Sequence, residues 1–400
     1  MPTIINENRM QQNVFLHEQR LKSPVMRMID STPTFVTYYS IDNNESTADD
    51  GYVDVHAYIG SRSPIRFNKI ENFPIYGIEQ IVINLQDTDQ GLDGSYEGEA
   101  IILPNTIKPN HNDYFKIPIL HGAYVFRITD FNYDTIMPDN YYRVSFKLEY
   151  NDDDMYDEID RQVISDNQCI LDKIGTDEKC IIENKELTQI GEVQQMYYKL
   201  MSYYKGLFYN KRHNVFLGPK DLNFTYYDPL QTYFINKHGL FNNKNDYQVL
   251  SLTDQMNDPL RDYKYNKSVY RLMELRDLKL LNNFKYVERP GVTVHESSFY
   301  RWRDNTILIL DACTVPKTDS PQVFSDEFIE SVKVNGFPDS DHARLLQKFL
   351  RKEKIEIKDI PLDLADQLLY MNMTFEVFMI TPLIMYVIRE TINENLKKRS

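Results

Sequence analysis

The chain has 400 residues, 42% of them apolar and 26% charged, the profile of a folded protein rather than a collagen-like or disordered one. Its 45 Lys and Arg stand against 59 Asp and Glu, a formal net charge of −14, which argues against a whole surface that grips nucleic acid by its phosphates. Three cysteines, Cys169, Cys180 and Cys313, are too few and too odd in number for a disulfide-stapled secreted scaffold, and free thiols are expected.

At roughly 100 to 200 residues per domain the length implies two or three folding units. The fold class expected is α+β, an N-terminal antiparallel β-sandwich or barrel followed by a mixed, mainly helical region. The predicted parts are a helical arm at 1–30, an antiparallel β-domain at 31–150, a helical and irregular middle domain at 151–290, and a small sheet with C-terminal helices at 291–400. Tyrosine is the compositional outlier, 29 residues beside 21 Phe and one Trp. Its ring is apolar and its tip polar, which suits half-buried sheets and protein interfaces; AT-rich coding explains the excess equally well.

In chain order, residues 8–29 carry Val14, Leu21, Val25 and Met28 along one side of a helical pattern that Pro24 interrupts. The first nine residues lack the basic start and apolar run of a signal peptide. From Thr32 the period becomes two. Strands are predicted at 34–40, 51–60, 80–85, 99–103, 123–129 and 141–150, with a turn at Gly91-Leu-Asp-Gly94. Lys108-Pro-Asn-His-Asn-Asp-Tyr-Phe115 is a polar loop that delivers two aromatics into the next strand, and it is expected at a subunit contact.

The acidic run 151–160 lacks the glycine and terminal glutamate of a calcium loop and reads as a solvated linker. Residues 186–209 form the strongest helical pattern, with Val193, Tyr197, Leu200, Tyr204 and Leu207 at spacings of three and four. Tyr227-Asp-Pro229 reads as a turn and 258–280 leads into a further helix. Strands at 292–296 and 306–311 follow, then helices at 324–332, 341–352 and 362–397, the last kinked or split by Pro382 near Thr381. The most apolar window, 371–388, is broken by Glu376 and Pro382 and falls short of the ~20 apolar residues of a membrane helix, so it is expected to be buried rather than membrane-spanning.

Eight histidines are scattered without metal spacing, and no nucleophile-elbow or phosphate-loop motif is present. The sharpest chemical candidate is the stretch 295–311. His295 and Glu296 beside Arg301, Arg303 and Asp311 could form a metal-dependent nuclease or hydrolase centre, whereas Trp302 between two arginines equally suits an interface anchor. No catalytic, cofactor-binding or metal-ligating residue is assigned, and no cofactor is implied.

Residues 63–70, 102–115, 126–129 and 141–144 together resemble virion structural proteins of large tailed bacteriophages of low-GC Gram-positive hosts, over about residues 30–150. The resemblance implies a structural component of the tail, baseplate or neck that acts through multivalent contacts with other virion proteins, in several copies in a symmetric assembly. The missing signal pattern adds the expectation of assembly in the host cytoplasm, and the interrupted apolar window and acidic balance that of neither a membrane nor sequence-specific nucleic acid as partner. The alternatives are the nuclease or hydrolase at 295–311 and a receptor- or carbohydrate-binding module using exposed tyrosines.

Overall fold

The computed structural model describes residues 33–43, 45–46, 65–78, 82–88, 91–103, 106–117, 124–136, 139–150, 159–176, 178–211, 215–218, 220–221, 224–241, 265–266, 268–278, 299–302, 305–309, 326–334, 336, 338–370 and 375–397. The expected arm at 8–29, the strand at 51–60, the acidic residues 151–158 and the strand at 292–296 lie outside them. The chain divides into two compact units, residues 1–188 with 396–400, and residues 189–395.

The first unit is built on strands β1 (Thr34–Ile41), β2 (Phe67–Tyr76), β3 (Val82–Thr88), β4 (Gly91–Ile102), β5 (Tyr114–Lys116), β6 (Val125–Ile136), β7 (Asp139–Tyr150), β8 (Val163–Cys169) and β9 (Ile181–Glu183). Six of them, in the order β2-β1-β5-β6-β7-β4, close into an antiparallel barrel where Ile75 and Tyr76 of β2 meet Ile102 and Ile101 of β4. β3 extends β4, while β8 runs parallel to β2 and carries β9.

Closure depends on β2 changing partners along one edge. Its first half, Phe67 to Glu71, pairs with β8, and its last two residues pair with β4. Between these halves the register with β1 slips, Asn72 takes a left-handed φ of 55°, and Pro74 follows. A bulge bends and twists its strand locally, and proline is tolerated there because a ladder bond is already missing.

The barrel interior is aromatic. Phe115 stacks on Phe126 at 5.4 Å, and Phe146 meets both edge-on at 5.1 and 5.5 Å; each such pair contributes about 0.5–1.5 kcal/mol beyond its buried area. Gly98 stands directly opposite Phe146 on β4, and a Cβ there would lie 2.5 Å from the Phe146 ring. The glycine makes the space the ring fills.

Gly91 to Gly94, predicted as a turn, are strand residues of β4. Thr88 pairs with Gly91, so the chain reverses before the first glycine. Cys169 and Cys180 are buried and form no disulfide, and burial, followed by the nearby Cys180, pushes the Cys169 thiol up.

The second unit contains most of α1 (Asn184–Phe208), then α2 (Pro229–His238), α3 (Val269–Leu275), α4 (Asp326–Val334), α5 (Asp341–Leu350), α6 (Leu364–Tyr370) and α7 (Phe375–Leu396). A short hairpin, β10 (Tyr209–Asn210) and β11 (Val215–Phe216), follows α1. A four-stranded sheet joins β12 (Lys220–Asp221), β13 (Phe224–Tyr227), β14 (Phe299–Trp302) and β15 (Asn305–Ile309) in the order β12-β13-β15-β14.

Tyr227-Asp-Pro229 starts a helix rather than making a free turn. Asp228 caps α2 by accepting from the backbone N–H of Leu230 and Gln231, and Pro229 takes a first-turn position where no N–H is needed. The expected single helix over 362–397 is two, α6 and α7. Pro382 lies inside α7 without ending it. Residues 377–388 are buried throughout, as the apolar window predicts, and among the described residues no helix is long and apolar enough to cross a membrane.

Candidate interaction surface of the barrel

The loop 106–113 is pinned from inside the protein. Asp113 is fully buried, with one carboxylate oxygen accepting from the Ile41 N–H at 2.8 Å and the other from the Asn110 N–H at 2.8 Å and the Tyr38 hydroxyl at 2.7 Å. Burial pushes this carboxyl up to about 7, against the opposing pull of the Ile41 and Asn110 amides and the Tyr38 hydroxyl. Backbone bonds from Asn112 N–H to the Ile128 carbonyl and from Ile128 N–H to the Asp113 carbonyl attach the loop to β6. Asn112 sits at φ 70°, a conformation asparagine tolerates, and its side-chain oxygen accepts from Arg127, whose other arm lies 3.0 Å from Glu149.

The two aromatics delivered by this loop are core residues. Phe115 enters the barrel interior, while Tyr114 joins Tyr39, Phe67, Val125 and Ile159 in a second cluster on the outer face. β1 and β5 are therefore covered on both sides, which is why they carry the doublets Tyr38-Tyr39 and Tyr114-Phe115 on opposite faces of the pleat. The loop leaves Lys108 and His111 exposed.

An aromatic run begins at His111. Its Nδ1 lies 2.9 Å from the Thr129 carbonyl oxygen and so donates, and its ring sits 5.0 Å from Phe131. Phe131 meets Tyr142 at 6.3 Å, and Tyr142 meets Tyr133, its direct cross-strand partner, at 5.3 Å. Tyr133 is 56% exposed at the outer end. Beside it Arg143 lies 3.5 Å from Asp134 and 3.9 Å from Glu99.

The register places the outer end of this run, the Tyr133–Tyr142 pair, at the base of a projecting hairpin. β4 and β7 pair from Glu97↔Lys147 to Ile102↔Tyr142. Past Tyr142, β7 continues with β6 alone through Asp134↔Tyr141, Thr135↔Asn140 and Ile136↔Asp139. Past Glu97, in the other direction, β4 continues with β3 alone as far as Thr88↔Gly91. Because β4 and β7 are antiparallel, the β6–β7 and β3–β4 hairpins extend from opposite ends of their shared ladder.

Within 295–311, the structure forms an antiparallel hairpin of β14 and β15, with Arg301 opposite Thr306 and Trp302 opposite Asn305. His295, Glu296, Arg303 and Asp311 lie outside the described residues. Among the described residues no group of three or more His, Cys, Asp or Glu is placed to hold a metal. The Asp113 knot was missed at the sequence level, although Asn-Asp preceding two aromatics after a proline-bearing loop is a local turn signal.

This first unit is an antiparallel barrel closed by β2 and β4, with a buried polar knot at Asp113 and an aromatic run whose outer end, Tyr133, is exposed. Residues 10–183 match the family described as "Putative phage head-tail joining protein". The matched segment spans all nine strands of the barrel unit, and over it the chain is similar to a phage virion structural protein. No curated protein and no solved structure matches the chain.

Proposed function

We propose that this chain is a neck component of a tailed bacteriophage, placed between head and tail, where it acts by multivalent contacts with other virion proteins. The observation that carries this reading is the match of residues 10–183 to the head–tail joining family. Two hairpins leaving opposite ends of one ladder supply contacts in two directions, as a part joined to two neighbours requires. The run His111, Phe131, Tyr142 and Tyr133 supplies a rigid aromatic patch with a charged margin at Arg143, and interfaces are enriched in Tyr and Arg. Several copies in a ring, assembled in the host cytoplasm, complete the proposal.

A phage with a nonsense codon in this reading frame, grown in a non-suppressing host, is expected to accumulate DNA-filled heads and finished free tails. Joined particles, or a block confined to head or tail assembly, would overturn the reading. Mass spectrometry of purified virions is expected to find the chain in several copies per particle.

A further inference from the structure

α7 runs through a proline while buried on all sides over residues 377–388. Pro382 has no N–H, so the carbonyl four residues earlier, that of Phe378, loses its intrahelical donor. In an apolar core such an orphan is costly unless another donor reaches it. Two do. Gln231 Nε2 of α2 donates to the Phe378 oxygen at 2.8 Å, and the Tyr204 hydroxyl of α1 reaches it at 3.0 Å.

The donors are themselves held. Gln231 and Tyr204 are 1% and 0% exposed. The second Gln231 N–H faces the Met379 sulfur at 3.8 Å, and the Tyr204 hydroxyl also lies 3.2 Å from the Gln231 side-chain oxygen. The Gln231 backbone N–H is tied to the Asp228 carboxylate, whose other oxygen accepts from the Tyr270 hydroxyl of α3 at 2.5 Å. Tyr204 also stacks on the Phe378 ring at 6.2 Å. One backbone oxygen thus ends a buried chain of hydrogen bonds that reaches four helices. Next to the gap, the Thr381 hydroxyl donates to the Val377 carbonyl and helps the helix continue.

We propose that Pro382 is a register device: by removing one internal hydrogen bond it creates the acceptor through which Gln231 and Tyr204 fix the rotation and depth of α7 against α1 and α2. The apolar contacts of residues 377–388 are non-directional, whereas a carbonyl without its helical donor is satisfied at one angle and one height; Arg389, which donates to the Gly239 carbonyl at 2.9 Å, holds the same helix further along. Buried polar groups select among packings in this way in other helical assemblies.

The reading predicts coupling between residues on different helices. Hydrogen exchange of α7 in the full chain is followed for wild type, Gln231→Leu, Pro382→Ala and the double variant. Gln231→Leu is expected to speed exchange in α7 about tenfold by removing the donor nearest to the Phe378 oxygen. In the Pro382→Ala background, where residue 382 regains its N–H, the same change is expected to cost no more than about threefold. An equal effect in both backgrounds, or no effect of Gln231→Leu alone, would overturn the proposal. If Gln231→Leu does not fold, Tyr204→Phe takes its place, with a larger acceleration in the proline background than in the alanine background, where only its contact with the Gln231 oxygen is lost, as the expected result; equal acceleration in both overturns it.

Discussion

The barrel and the helical unit each draw several elements onto one sequestered carboxylate, and they do it with opposite chemistry. Asp113 is surrounded by neutral donors, two backbone amides and the Tyr38 hydroxyl. Glu274 on α3 is surrounded mainly by bases: Lys237, His238 and the Tyr265 hydroxyl lie 2.6, 2.8 and 2.6 Å from one oxygen, and Arg271 lies 2.9 Å from the other. Burial alone would raise both acids. It prevails at Asp113, which moves to about 7; at Glu274 the hydrogen bonds from Lys237, Tyr265, Arg271 and His238 outweigh it and hold the carboxyl at about 2. At Asp113 two amides and a hydroxyl do not offset the loss of water, whereas at Glu274 three basic side chains and a hydroxyl do.

The hardest test of this contrast is Asp113→Ala, which strands the Ile41 amide, the Asn110 amide and the Tyr38 hydroxyl together. A loss of about 3 kcal/mol is expected, read as faster hydrogen exchange in β1 and β5 with the helical unit unchanged. Gly98→Ala tests the barrel interior independently of charge. Its methyl must displace the Phe146 ring and with it Phe115 and Phe126, for about 1–3 kcal/mol in denaturant unfolding. Glu274→Gln keeps the shape and removes the charge that the bases need; about 1–2 kcal/mol is expected, confined to α2 and α3 and smaller in high salt.

Acid titration separates the two carboxylates by sign. A raised folded value means the folded barrel holds its proton after the unfolded chain has released it. The Asp113 contribution is therefore fully present below about pH 4 and declines as pH rises to about 7. A lowered folded value does the reverse, so the Glu274 contribution is present above about 4.5 and is lost as pH falls toward 2. Barrel protection that does not fall between pH 4 and 7, or that keeps its slope in Asp113→Asn, would break the comparison. The smallest expected effect is that of Tyr133→Ser. With its ring 56% exposed, stability should change by no more than about 0.5 kcal/mol, while incorporation into particles should fall.

Much of the secondary structure was legible because its signals are local. β1, β6 and β7 announce themselves by β-branched and aromatic residues between turn formers, and α1 by a stripe from Ile190 to Phe208. The misreadings have a common cause, since one residue type serves two purposes. Gly91 and Gly94 look like a turn but continue a strand, Asp228-Pro229 looks like a turn but caps a helix, and Pro382 looks like a break but lies within α7. Of the candidate surface, the Tyr excess did not tell which tyrosines emerge. Tyr38, Tyr39, Tyr76 and Tyr114 are buried, and Tyr133 is not.

By itself, then, the sequence determined the class of the fold, the order of β-rich and helical regions, and the burial of the apolar C-terminal segment, because periodicity and hydrophobicity act over a few residues. The tertiary structure alone decided that β2 and β4 meet to close the barrel, that two hairpins leave one ladder at opposite ends, and that the carbonyl freed by Pro382 finds Gln231 and Tyr204. Those outcomes join residues from 25 to 174 positions apart, and which distant partner a backbone edge or carbonyl oxygen meets is set by the packing of the intervening chain.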